Sequence, residues 1–449
     1  MNRVSNIDSH KEDIQLGYKN VCIFGQGYVG LPLALSFALR GCKTIGVDVN
    51  KALVDDINDG ITYHTEKFRE ISIASILKKE LEEKNYIATA DPGYAMERCN
   101  NIIITVGIPI KDGKYVDDYL KSVCESIGKY LKRNDLIIVR STVIPGITEE
   151  LVKPILESNS GLKAGVDFYL AYSSERIAEG NAFDEFASMP TLVSGINEES
   201  FKRASKLLSI VCKAEIVKAS NIKVVEIAKV FENVQRDVNI AMVQEFARLT
   251  EALKIDIFEV IRLANTHERV NLLTPGPGVG GYCIPNAYHY LSPKAEEMNI
   301  NMDILKLSRT KNRNIPVFIS DKIEELLRND DKDIKKSKIA VLGIAMKDYS
   351  NDDRISPAID IIKLLIKKGA SVKAYDPAVV TKYDFKVATE KEAIEDADAI
   401  VALSRQKNIK FNDFRMFSRL MKERPIYVDT KNVAQKELAE QNGFYYWKI

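Results

Sequence analysis

The sequence predicts an α/β protein: two doubly wound domains joined by a central long-helix region. Three observations carry this. Short apolar strand patterns alternate with helical patterns in both the first half and the last third of the chain, the arrangement of βαβ units. The first such strand runs directly into Gly25-Gln26-Gly27-Tyr28-Val29-Gly30, and a helical pattern follows. Between the two halves, from Ser220 to about Thr266, the apolar residues shift to helical spacing.

Length and composition bound the reading. A chain of 449 residues holds two or three domains, at roughly 150 residues each. Hydrophobic content of 45% and charged content of 28% belong to a globular protein, and a net charge of +1 gives no reason to expect nucleic acid or an anionic membrane surface as partner. No apolar run reaches the roughly 18 residues of a spanning helix. Residues 1–17 are polar, of mixed charge and without the apolar stretch of a signal peptide, so they read as a flexible N-terminal extension. The six cysteines, Cys22, Cys42, Cys99, Cys124, Cys212 and Cys283, form no CxxC pair and have no histidine cluster beside them. That argues against a disulfide framework and against a metal site, and the expected compartment is cytoplasmic.

Taken in order, Tyr18–Phe24 is a strand, Leu31–Arg40 a helix rich in Leu and Ala, and Lys43–Val47 a second strand ending at Asp48, eighteen residues after Gly30. Strand, glycines, helix, strand and acid in this succession make residues 18–215 a Rossmann-like dinucleotide-binding domain. Gly25, Gly27 and Gly30 allow the tight turn and bring the helix N-terminus onto a pyrophosphate. Asp48 can accept hydrogen bonds from ribose hydroxyls, and its charge repels a 2′-phosphate, so NAD is expected rather than NADP. Further strands are Asn101–Val106, Leu136–Val139 and Phe168–Tyr172. In a doubly wound sheet the segments just past strand C-termini face the ligand. The residues after Val106, around Ser141-Thr142 and from Ser173 to Arg176 are therefore candidate site walls, with ordinary turn chemistry as the plain alternative.

Residues 216–328 form the central helical region. Val224, Ile227, Ala228, Phe231, Val234, Val238, Ala241 and Phe246 recur at helical spacing, as in a spine that can pair with a second copy. Lys229, Asn233 and Arg236 follow in steps of four and three, which keeps them on one helical face; a solvated polar face is the ordinary explanation. The same region contains Thr274-Pro275-Gly276-Pro277-Gly278-Val279-Gly280-Gly281-Tyr282-Cys283, a stiff Gly/Pro cradle with a thiol at its rim, and a further helical stretch follows it to about Asp330. Such a cysteine is either a nucleophile or a small apolar residue after a turn. Residues 329–449 open on a charged linker, Asn329–Lys336. They continue through strand patterns Lys338–Gly343, Ser371–Tyr375, Ala399–Leu403 and Pro425–Asp429 and a helix Pro357–Lys368. This second doubly wound domain lacks GxGxxG. It places Lys347 and Arg354 after its first strand, suited to phosphate or carboxylate binding unless they are merely solvated.

Together these motifs resemble the UDP-glucose/GDP-mannose dehydrogenase family. The resemblance runs from about Lys19 to Asn432. It is carried by Gly25–Pro32, Ser141–Gly146, Ser174–Gly180, Glu226–Asn239, the Gly276–Pro285 loop and Gly343–Pro357. It implies an NAD-dependent oxidation of a sugar C6 alcohol to the acid, with the aldehyde held on Cys283 as a thiohemiacetal and then a thioester. Lys229 and Asn233 would stabilise the oxyanion, and Glu175 and Glu179 would lie near the reacting carbon. Tyr28, Val29, Val106 and Thr142 join the glycines and Asp48 as cofactor-binding positions. Arg176, Ile177, Arg236, His267, Arg269, Gly280, Lys347 and Arg354 match positions that hold the nucleotide sugar, which makes residues 329–449 a UDP-binding domain. The wording Glu175–Gly180, His267–Asn271 and Pro275–Gly281 is most similar to the branch acting on UDP-N-acetylmannosamine or UDP-N-acetylglucosamine and serving polysaccharide synthesis. A UDP-glucose dehydrogenase is the alternative. The apolar count on Ser220–Thr266 predicts a homodimer through these helices, which would let Arg269 reach the partner's sugar site.

The sequence departs from the family pattern at three places. Ala287 stands where an aspartate is usual, Ile108 where a threonine is usual, and Tyr282 where this branch has a histidine. The first two belong to the set that activates the hydrolytic water. Thioester hydrolysis is thus the step these changes bear on, and an aldehyde-forming or binding-only protein is the divergent alternative. His289 is a candidate substitute base, or a histidine packed against Tyr288 and Tyr290.

Overall fold

The computed structural model describes residues 19–111, 113–177 and 180–449. The N-terminal extension and Glu179 lie outside the described residues. The chain divides into two compact units. One holds the residues up to Phe231 together with His289–Met298, and the other holds Glu232–Tyr288 and Asn299–Ile449.

The first unit is built on an eight-stranded sheet among the described residues. Its strands are β1 (Asn20–Phe24), β2 (Lys43–Val47), β3 (Tyr86–Thr89), β4 (Asn101–Ile104), β5 (Leu136–Val139), β6 (Tyr169–Ser173), β7 (Thr191–Gly195) and β8 (Ile216–Lys218). Their spatial order is β8-β7-β6-β5-β4-β1-β2-β3. The strands from β3 to β6 in this order are mutually parallel. β7 runs antiparallel to β6, and β8 runs parallel to β7. The six parallel strands have the 3-2-1-4-5-6 order of a dinucleotide-binding sheet. Residues of β4 and β5 are buried throughout, as continuous apolar runs in a sheet covered on both faces must be. Helix α1 (Gly30–Ala38) is buried along its whole length. That explains a Leu- and Ala-rich sequence with no polar stripe. The chain order reverses between β1 and β4, so a crevice opens at the C-terminal ends of these two strands, where Gly25 and Thr105 sit.

Helix α2 (Ile222–Ala252) is a single element of 31 residues, followed by α3 (Ile257–Ala264). Helix α4 (Cys283–Glu297) begins at the cysteine itself, and α5 (Asp303–Asn329) is a further long helix. The second unit holds a five-stranded sheet, all parallel: β9 (Lys338–Leu342), β10 (Ser371–Tyr375), β11 (Ala399–Ala402), β12 (Ile426–Asp429) and β13 (Tyr445–Lys448), in the order β10-β9-β11-β12-β13. This 2-1-3-4-5 order again reverses next to the first strand, between β9 and β11. The segment leaving β9 at that reversal carries Lys347 and Arg354. Helix α6 (Pro357–Lys367) then starts with Ser356 as its cap. Ser356 Oγ accepts the Ala358 N–H and donates to the Ile344 carbonyl, with Pro357 at the first helical position.

Candidate active site

In the first unit the Gly25–Gly30 turn is fixed by its neighbours. Gly25 has φ +93° and donates its N–H to the Val47 carbonyl at 2.8 Å. A Cβ on Gly30 would lie 1.7 Å from the Gly25 oxygen, so only glycine lets α1 approach β1 this closely. A Cβ on Gly27 would meet nothing within 4 Å. The chain's own packing does not demand a glycine there, whereas close approach of a pyrophosphate does. Val106 packs against Gly25, the Cγ1 atom 3.2 Å from where its Cβ would be. Asp48 accepts the N–H of Gln26 at 2.7 Å and of Asn50 at 3.0 Å. Each carboxylate oxygen has two lone pairs, so acceptor capacity for ribose hydroxyls remains. The turn and Asp48 thus fit NAD. Tyr28 and Val29 lie in the same turn, half-buried.

The loops past β5 and β6 form a second cluster. Arg140 Nε donates to Glu175 Oε2 at 2.7 Å with both residues buried, and Arg140 Nη1 donates to Ser173 Oγ at 3.2 Å. The other Glu175 oxygen accepts the N–H groups of Arg176 and Ile177, at 2.7 and 2.9 Å. Glu175 is therefore held on both oxygens, a rigid carboxylate and not a mobile base. Arg176 Nη1 donates to the Pro190 carbonyl at 3.0 Å, and Ile177 packs on the core of this unit. Tyr172 donates its hydroxyl to the Ser141 carbonyl at 3.0 Å, beneath half-buried Thr142. Glu226, fully buried on α2, accepts the N–H groups of Gly146 and Thr148 at 2.6 and 3.0 Å. Burial raises its pKa, and the hydrogen bonds from Thr148 and Gly146 oppose the rise. One turn further along α2, Lys229 is only 8% exposed, and among the described residues none hydrogen-bonds or ion-pairs with its ammonium. Tyr290 donates its hydroxyl to the Ile108 carbonyl at 2.6 Å, fixing the loop after β4, and His289 lies beside Gly113.

In the second unit Cys283 is the first residue of α4 and is the one exposed cysteine; the other five are buried. The glycine loop before it is filled by its own chain. A Cβ on Gly278 would lie 2.8 Å from Pro357, and one on Gly280 would lie 2.8 Å from the Ile355 oxygen and 3.0 Å from Met346. Gly281 donates its N–H to the Ile355 carbonyl at 3.3 Å. These glycines serve packing between the cysteine loop and the Met346–Pro357 segment, which the sequence did not reveal. Side chains of α2 hold the approach to the loop. Asn239 donates to the Asn271 carbonyl and accepts the Leu273 N–H, and Gln244 donates to the Gly276 carbonyl at 2.8 Å. Asp237 is paired in the interior with Arg309 and Asn312. Asn233 is buried on the same helix, whereas Arg236 is exposed. His267 and Arg269 are exposed in the turn after α3, the Arg269 N–H donating to His267 Nδ1 at 3.2 Å.

The segment bearing Lys347 and Arg354 is wired to the ends of the second sheet. Asp376 accepts the N–H groups of Ile344 and Ala345, and Gln406 donates to Asp376 and to the Ser350 carbonyl. Arg354 is clamped by Asp352, Nε and Nη2 donating at 2.8 and 2.6 Å. Its guanidinium lies 5.0 Å from the centre of the Tyr282 ring, a cation–π contact one residue from the cysteine. No pattern in the chain points to Tyr282 as a contact of Arg354. Of the residues that depart from the family pattern, Ala287 and Ile108 are both buried.

Comparison with known proteins agrees with this layout. Three models of the UDP-glucose/GDP-mannose dehydrogenase family match in succession: the NAD binding domain over residues 19–211, the central domain over 223–314 and the UDP binding domain over 340–436. The chain is 33% identical over 433 residues to a UDP-N-acetyl-D-mannosamine dehydrogenase of Methanocaldococcus jannaschii, covering 95% of each chain. It is 32% identical to a UDP-N-acetyl-D-glucosamine 6-dehydrogenase of Salmonella typhi, covering 94% of this chain and 97% of the relative. Its structure is similar to that of the UDP-D-ManNAc dehydrogenase of Pyrococcus horikoshii, with a TM-score of 0.87 at 30% identity over 96% of this chain and 99% of the other.

Proposed function

Because the chain belongs to the UDP-glucose/GDP-mannose dehydrogenase family, an NAD-dependent nucleotide-sugar oxidoreductase, we propose that it oxidises the C6 alcohol of a UDP-N-acetylhexosamine, UDP-N-acetylmannosamine or UDP-N-acetylglucosamine, to the acid. The names of its relatives support this choice of sugar over glucose. The observation that carries the chemistry is Cys283: one exposed thiol among buried ones, at the first turn of a helix and at the end of a stiff loop.

Gly25–Gly30 and Asp48, with Val106 and Thr142 alongside, would hold NAD, which would supply the hydride acceptor, one molecule for each of the two oxidations. The chain's own residues do the rest. Cys283 Sγ adds to the C6 aldehyde as a soft nucleophile, and after the second oxidation it leaves from a thioester. Lys229 and Asn233, both on largely buried positions of α2, stabilise the oxyanion. Glu175, immobilised by Arg140 and two backbone N–H groups, orients the groups around the reacting carbon, with Glu179 in the same motif. Lys347 and Arg354 take the nucleotide diphosphate, and Arg176, Ile177, Arg236, His267, Arg269 and Gly280 complete the sugar-nucleotide contacts. With Ala287 and Ile108 in place of the usual polar pair, water attack on the thioester is the slow step. The product feeds polysaccharide synthesis, and the working form is a homodimer.

Incubation with NAD and a panel of UDP- and GDP-sugars tests this reading, with NADH counted by absorbance and products by mass spectrometry. Two NADH per UDP-N-acetylhexosamine and none with the GDP-sugars is the expected result. Turnover of UDP-glucose in preference to the N-acetyl sugars would overturn the assignment of substrate.

A further inference from the structure

One of the four histidines is built into the dinucleotide turn. His64 is 7% exposed, and its Nε2 lies 3.3 Å from the Gly27 carbonyl oxygen. Its Nδ1 lies 2.7 Å from Thr62 Oγ1, which itself accepts the His64 N–H at 3.3 Å. A hydroxyl that accepts a backbone N–H can still donate its own proton, so Thr62 donates to Nδ1 and Nε2–H donates to Gly27. The ring stacks on Tyr63 at 4.3 Å and tilts against Tyr28 at 5.6 Å. Burial lowers the pKa of His64, against the pull of Glu66 and the Gly27 carbonyl, which keeps the neutral ring and its single donor.

Two residues further on, Glu66 is 1% exposed and its Oε1 accepts the Gly180 N–H at 3.2 Å. Residues 62–66 belong to no helix or strand. They run between a hydrogen bond to the turn expected to meet the pyrophosphate and one to the end of the motif that carries Glu175. The peptide unit is rigid, so holding the Gly27 carbonyl also aims the Tyr28 N–H the opposite way. We propose that Thr62–Glu66 is a strap that couples NAD binding in the Gly25–Gly30 turn to the hold on the Gly180 N–H. His64 is a positioning residue for the cofactor, and Glu66 is the link to Gly180. The proposal rests on the NAD reading above and adds residues that the resemblance did not single out.

Calorimetric titration of NAD and hydrogen exchange with and without NAD test it, on the full chain and without substrate. His64→Leu removes the donor and should weaken NAD binding about three- to ten-fold, the loss of one buried hydrogen bond. His64→Gln, which can place an N–H near the Nε2 position, should recover most of the affinity. Glu66→Met should keep NAD protection of the Gly25–Leu31 amides yet lose it at Gly180; Glu66→Gln, which retains an acceptor oxygen, should keep both. Should His64→Leu melt well below wild type, the Gln variant and the Glu66 pair decide. The proposal is overturned if a folded His64→Leu binds NAD within about two-fold of wild type. It is equally overturned if Glu66→Met shows wild-type NAD protection at Gly180. A wild-type chain that binds no NAD overturns the cofactor reading itself, and this coupling with it.

Discussion

Lys229→Met separates what stabilises the protein from what makes it react. The substitution keeps an unbranched side chain of similar length and removes the ammonium. The residue is 8% exposed, and no described residue hydrogen-bonds or ion-pairs with the ammonium. An uncompensated buried polar group costs roughly 1–3 kcal/mol in mutational data, and a charge more. Removing it should stabilise the chain by about 1–2 kcal/mol, a rise of roughly 3–6 °C in melting temperature for domains of this size. If the ammonium is instead spent on an oxyanion, turnover should fall by about 10²–10³-fold. Differential scanning calorimetry and NADH production on the same preparations read both quantities. A variant that melts lower and turns over normally would refute the reasoning, because the lysine would then be a structural cation.

Cys283→Ser should abolish acid formation, while Cys283→Ala still releases a trace of aldehyde. In the wild type an acyl-enzyme should accumulate on Cys283, visible as a mass increment on the intact protein, and Ala287→Asp should shorten its life. Rapid release of two NADH without an adduct, slowed by Ala287→Asp, would mean that another residue is the base, and His289→Ala would then be the variant to compare. Asp135 is buried, and burial pushes its pKa up to about 6 from an ordinary 3.8, against the opposing pull of Lys132. The folded state therefore holds a proton that the unfolded chain releases near 4. The stabilisation is full below that value and is lost as pH rises through about 6, on the order of 2–3 kcal/mol. Melting curves from pH 4 to 7 should show this slope, and Asp135→Asn should flatten it. Met242, Phe246, Leu249 and Leu253 are exposed at steps of four, three and four along α2 and its end. A stripe of this kind calls for cover, so sedimentation should give a homodimer and Phe246→Glu should shift it toward monomer.

What could be read from the chain beforehand follows physical range. Strands β2, β5 and β10 were legible to the residue because each is a short apolar run closed by a turn. The Gly25–Gly30 turn was legible because strand, glycines and helix are contiguous. Cys283 stood out because it alone of the six cysteines follows a Gly/Pro loop. The pairings that shape the sites are not contiguous. Asp237 meets Arg309 across 72 residues, and Tyr290 meets Ile108 across 182. No local pattern announces such partners. His64 was passed over because one histidine in an irregular segment carries no period. The glycines before Cys283 were read as room for a ligand, yet Gly278 and Gly280 make room for Pro357 and the Ile355 carbonyl.

That packing has a consequence for which substrates can react. The cysteine loop and the Met346–Pro357 segment are interlocked through Gly278, Gly280 and Gly281, and the Arg354 guanidinium rests on the ring next to Cys283. If, as proposed, Cys283 is the nucleophile and Lys347 and Arg354 grip a diphosphate, thiol and cations sit on interlocked segments. A sugar nucleotide anchored on those cations would present its reacting carbon at a reach set by its own covalent length. On that reading the second unit would work as a gauge: a donor with a shorter or longer link between phosphate and alcohol would bind and yet bring no carbon to the sulfur.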